Sequence, residues 1–167
     1  TDPTQPSFVL LLYPNGTFDP EIDEDGLQQG LEDAASSSPF DTLTEVELVG
    51  ANWTERTLVF GSTVRQRYDD SGNLSLPICQ FVLQFKGQVL FGGDVENSFS
   101  ARAIRYPVAI YDVLESRTGS KDTLTLTLMS RLGYGFSNGM APFPGLTSGS
   151  DEEIGRYLSD TVSRTGP

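Results

Sequence analysis

The chain has 167 residues, 37% hydrophobic and 20% charged, a composition that suits a single globular domain and excludes a disordered one. At this length about 68–70% of the unfolded surface can be buried, so neither a metal nor a disulfide is needed for folding. With 23 acids, 11 bases and no histidine, the formal charge of −12 repels phosphate backbones, and the commonest general base and metal ligand is missing.

The charge is unevenly placed. Residues 1–55 hold twelve acids and no Lys or Arg, whereas residues 56–167 balance eleven acids against eleven bases. Such a first third either solvates the surface or meets a basic region such as Arg102, Arg105, Arg117, Lys121 and Arg131 on a neighbouring copy. No initiator Met or signal pattern opens the sequence, so the first residue is expected to lie at a processed or trimmed end.

Residues 1–6 read as an extended arm. Ser7–Tyr13 reads as a buried strand, and its apolar run of six residues from Phe8 falls far short of the roughly 20 that span a bilayer. Pro14-Asn15-Gly16 is a turn. A helix is expected from about Asp23, with Leu27, Leu31, Ala34 and Ala35 as its apolar stripe and acids in its first turn. Residues 21–32 resemble the calcium loop of the EF-hand family in the order Glu21, Asp23, Asp25, Gly26, Glu32. The resemblance covers twelve residues and departs at the first ligand, a Glu in place of Asp, and at Gln28, where that family places an aliphatic residue. Pro14 and Pro20 deny the loop an incoming helix. It implies a calcium ion held by Glu21, Asp23, Asp25 and Glu32; the other reading is an acidic helix start.

Leu43–Val49, Thr57–Tyr68, Leu76–Phe91, Arg105–Leu114 and Asp122–Leu132 read as strands, with turns at Asn52-Trp53-Thr54 and at residues 69–73. Lys86-Gly87 and Gly92-Gly93 mark turns or bulges. Leu124, Leu126 and Leu128 alternate with Thr125 and Thr127, which puts the leucines inward. Gly61-Ser62-Thr63-Val64 looks like the self-cleaving Gly-Ser site of SEA domains, which would make Ser62 a nucleophile; a strand bulge at Gly61 is the alternative. Cys79 stands alone among apolar neighbours and is expected to be a buried small hydrophobe.

Residues 133–149 form a long Gly/Pro segment whose Tyr134, Phe136 and Phe143 either fold back on the core or anchor a partner. A helix over residues 150–164 is expected to follow, capped by Ser150 with Glu153 as return partner and buried through Ile154, Tyr157, Leu158 and Val162.

Three N-glycosylation sequons occur, at Asn15, Asn52 and Asn73, where chance placement gives roughly one; all fall at expected turns and point to the secretory pathway. The pattern as a whole predicts a single α+β domain over residues 1–167, an antiparallel-rich sheet with two helices packed on one face, or else a β-sandwich or barrel with flanking helices. The expected function is a non-catalytic structural subunit or interaction module of an extracellular or surface assembly, bound to other copies of itself or to other proteins. No cofactor beyond the calcium alternative is implied. A calcium-dependent adhesion domain, a self-cleaving extracellular domain and a carboxylate-dependent hydrolase remain as alternatives.

Overall fold

The computed structural model describes residues 6–20, 24–70, 73–97, 104, 106–111, 122–130, 143 and 145–165. The fold is organised on β1 (Phe8–Pro14), whose alternate side chains serve two cores. Phe8, Leu10 and Leu12 enter the main core, while Leu11 and Tyr13 enter a second one on the opposite face. A strand buried on both faces has no polar side to show, which explains its unbroken apolar run.

β1 pairs antiparallel with β2 (Asp41–Thr44) on one side and β7 (Cys79–Phe85) on the other, placing Leu10 between Leu43 and Leu83. β7 turns into β8 (Gln88–Asn97) through Lys86 and Gly87. Both residues have positive φ, 53° and 80°, as a two-residue hairpin turn with right-handed strand twist requires. β8 runs parallel to β9 (Val108–Tyr111), and antiparallel pairing then continues through β10 (Leu124–Met129), β4 (Thr57–Phe60) and β3 (Leu48–Asn52). The eight strands stand in the order β2-β1-β7-β8-β9-β10-β4-β3. The two end strands, β2 and β3, are consecutive in the chain and joined by the 3-10 turn Glu45–Glu47, so the sheet curls almost to a barrel. A small hairpin, β5 (Asp69–Asp70) with β6 (Asn73–Leu74), stands apart at the turn expected there.

The α+β class and the antiparallel-rich sheet agree with the sequence reading. The helices, however, divide between the faces. α1 (Glu24–Ala35) lays Leu27, Leu31 and Ala34 on Leu11, Tyr13 and Val82. α3 (Ser148–Thr165) sends Ile154 and Leu158 into the main core with Phe8, Trp53 and Phe85. The double-sided burial of β1 is what requires a cover on each face.

Other local expectations need correction. Leu43–Val49 is two edge strands and not one. Glu45 breaks it by turning its carboxylate inward to accept the backbone N–H groups of Ser7 and, at 3.4 Å, Phe8. Thr57–Tyr68 is strand only to Phe60; α2 (Ser62–Arg67) follows, because the Gly61 carbonyl accepts the Arg65 N–H at 3.1 Å and starts a helix. Gly92-Gly93 is no turn but the middle of β8, where bare backbone lets neighbours close in: a Cβ on Gly93 would lie 1.7 Å from the Pro107 carbonyl oxygen. The cap of α3 is Thr147, one turn earlier than expected. Its hydroxyl accepts the Ser150 N–H at 3.1 Å and the Ser150 hydroxyl accepts the Thr147 N–H at 3.0 Å, a reciprocal box with Ser in the return position.

Cys79 is 1% exposed, and its thiol is pushed up to about 12, chiefly by burial and then by the nearby Asp94. It packs as the small hydrophobe expected.

Candidate functional site

The turn between β3 and β4 builds the most developed polar site among the described residues. The Asn52 side-chain oxygen accepts the Glu55 N–H at 3.2 Å, and the Trp53 carbonyl accepts the Arg56 N–H at 3.0 Å. Arg56 takes the left-handed conformation, φ 59°, and its own carbonyl accepts the Leu128 N–H at 2.8 Å, which pins the turn to β10. This geometry lays the Arg56 guanidinium over the Trp53 ring, 4.6 Å from its centroid, and 5.4 Å from that of Phe143. Trp53 itself is buried edge-on against Phe8.

Asp151, in the first turn of α3, closes the site. It accepts the Trp53 indole N–H at 2.7 Å, and the Arg56 fork reaches both of its oxygens, Nη2 to Oδ2 at 3.0 Å. The Arg56 hydrogen bonds, aided by the indole, hold the Asp151 carboxyl below its ordinary range. A groove of about 760 Å³ runs between this turn and α3, lined by Asn52, Trp53, Arg56, Gly155, Arg156 and Ser159 among others. At its rim Arg156 pairs with Glu152 at 3.6 Å.

The charges of the groove are therefore committed to one another. Asp151 is an ionised carboxylate with both oxygens occupied, poorly suited to pass a proton near neutral pH. Asp151 and Glu152 are adjacent on one helix and diverge, whereas glycoside hydrolysis needs two carboxyls facing across a bond. The groove thus presents aromatic and charged groups that are already fixed in place.

A second network sits at the sheet edge. Arg67 bridges Asp41, at 2.9 Å, and Glu47; the Tyr68 hydroxyl donates to Asp41. The same two acids accept backbone N–H groups of β2, Thr42 to Asp41 at 2.8 Å and Thr44 to Glu47 at 3.4 Å. Part of the acidic first third is thus spent inside the molecule. The basic residues weighed as its intermolecular partners, Arg102, Arg105, Arg117, Lys121 and Arg131, lie outside the described residues.

The four residues of the calcium loop do not form a loop where they are described. Glu21 and Asp23 lie outside the described residues, and from Glu24 onward the segment is continuous α-helix, with Glu32 exposed and accepting the Gln28 side-chain N–H at 3.4 Å. The EF-hand family needs its ligands on a turning loop, not on a helix with a different rise and period. Among the described residues no three His, Cys, Asp or Glu come together to hold a metal. Calorimetric titration with calcium is expected to give no submicromolar binding and the same heats for Glu32→Ala; a tight site lost in that variant would overturn the helical account of the segment.

Asn15 and Asn52 are exposed at turns, and Asn73 lies at the start of β6. Ser62 is exposed in the first turn of α2, not on a strand as the SEA-like reading requires. Phe143, read as an interface anchor, is in fact 5% exposed and stacks on Phe91 with ring centroids 4.5 Å apart. Phe143 thus packs back onto the core, the first of the two readings given for it. Tyr134 and Phe136 lie outside the described residues. Among the described residues no helix is long and apolar enough to cross a membrane. Compared with protein-family models, curated proteins and solved structures, the chain matches none of them.

Proposed function

We propose that this domain is a non-catalytic interaction module of an extracellular or surface assembly, that it self-associates, and that a second copy docks in the groove between α3 and the Asn52–Arg56 turn. The observation that carries the reading is the groove itself, a concave surface whose Asp151, Arg56 and Trp53 are fixed by one another before any partner arrives. Preorganisation of this kind lowers the ordering cost of association. The exposed sequons at Asn15 and Asn52 agree with a secretory route. The groove's own charges balance, Arg56 and Arg156 against Asp151 and Glu152, so docking there rests on its preformed shape and exposed rim, and head-to-tail contacts of this kind build rings or filaments.

Light scattering tests this directly. The unglycosylated protein is expected to exceed monomer mass at high micromolar concentration, and less so at high ionic strength, where rim charges are screened. Ser159→Trp fills the groove from an exposed position and is expected to restore the monomer. A parent that stays strictly monomeric would refute self-association; a Ser159→Trp protein that assembles like the parent would move the docking surface elsewhere.

A further inference from the structure

We infer that Asn52 accepts an N-linked glycan whose first sugars lie along the groove, so that occupancy of this sequon decides which copies can dock, the unmodified ones through an open groove and the modified ones not; this regulating part rests on the reading of the groove given above. Asn52 is exposed and lines the groove. Its side-chain oxygen is held by the Glu55 N–H, which fixes the amide plane and leaves Nδ2 as the atom not used by the turn. A glycan bonds through that nitrogen and spares the oxygen, so the turn and the modification are compatible in the folded protein.

The other sequon residues fit the same arrangement. Trp53 points inward and forms part of the groove floor, and Thr54 is exposed beside it. Beyond the attachment point lie Ser148, Glu152, Arg156 and Ser159, hydroxyl and charged groups suited to sugar hydroxyls. Asn15 also lies on an exposed turn, where it lines a shallower hollow of about 500 Å³ with Thr17 and Asp19. Attachment at Asn52 requires a polyisoprenyl-diphosphate-linked oligosaccharide as donor. The Nδ2–C1 bond forms, the C1–O bond to the diphosphate breaks, and Nδ2 loses one proton as the diphosphate leaves.

The test uses the full chain secreted from eukaryotic cells. The Asn52 peptide is expected to gain the mass of a glycan. Enzymatic release of that glycan from the folded protein is expected to be about tenfold slower than after denaturation, as local protection predicts. Ser159→Trp, which fills the bed, should abolish the lag. Thr54→Ala removes the sequon at an exposed position without touching the Asn52 turn bond. This variant should associate at concentrations where the glycosylated parent stays monomeric. A bare Asn52, equal release rates before and after denaturation, or association of both proteins to the same extent above monomer mass would overturn the inference. If the glycan is present and protected but neither protein associates, the docking role falls while the seat of the glycan stands.

Discussion

Gly93→Ala is expected to lower stability by about 3 kcal/mol, read as a shift in the urea midpoint, because overpacking against backbone leaves nothing soft to move. The added Cβ would lie 1.7 Å from the Pro107 carbonyl oxygen and 2.7 Å from its carbon, so β8 and the approach to β9 would have to separate. That junction contains the parallel pairing of Asp94 with Val108, which joins the two halves of the sheet. Gly50→Ala is the control, since its Cβ would meet only Val59 at 3.5 Å, an ordinary contact. It should stay within about 0.5 kcal/mol of the parent. A Gly93→Ala protein as stable as the parent would show that β8 and Pro107 do not approach as described.

The second large effect is expected at Trp53. Trp53→Ala should cost about 3–5 kcal/mol, the range for deleting a large buried aromatic, because Phe8 and the Arg56 guanidinium both lose the ring they pack on. Asp151→Asn keeps the shape of the site and removes the charge. The Asp151 side chain is 37% exposed, so solvent screening should hold its cost below about 1 kcal/mol. The pH dependence separates the two. The folded carboxyl of Asp151 titrates below its unfolded value, so its contribution is complete above about pH 4 and fades as acid protonates it. The parent and Asp151→Asn should therefore converge in acid, while the Trp53→Ala deficit persists across the range. A Trp53→Ala deficit that vanished in acid would mean that the ring acts only through Asp151.

The parts of this architecture that were legible in the sequence are those written in one period. Leu124, Leu126 and Leu128 alternate cleanly and are buried as expected; the apolar stripe of α1 likewise meets the sheet. What escaped depends on contacts distant in sequence. Glu45 sits in an apparently regular strand, and only the N–H groups of Ser7 and Phe8, 38 and 37 residues away, turn it inward. Arg65 reads as a surface residue, yet α2 buries it to 1% exposure, with Nη1 donating to the Thr123 carbonyl at 3.0 Å and Nε and Nη2 lacking hydrogen-bond partners. The groove was hidden for the same reason. Asn52-Trp53-Thr54 announced a turn and a sequon, but nothing local pairs Trp53 and Arg56 with Asp151, 98 and 95 residues on. The one available signal was a tryptophan in a polar turn, which has to find a buried seat and an acceptor for its N–H.

The near-closure of the sheet has a consequence for how copies can join. Polymers built by strand exchange need a strand that can leave one molecule and complete another. Here β1, the first described strand, is held on both sides by β2 and β7 and cannot be donated without breaking two pairings and separating β2 from the rest of the sheet. The end strands β2 and β3 are tethered to each other by three residues, so neither leaves alone. The amides of Thr42 and Thr44 are already taken by Asp41 and Glu47, which deprives an incoming strand of donors. Among the described strands none is therefore free to be exchanged singly, and copies that join through these strands' surfaces should come apart on dilution with every protomer still folded.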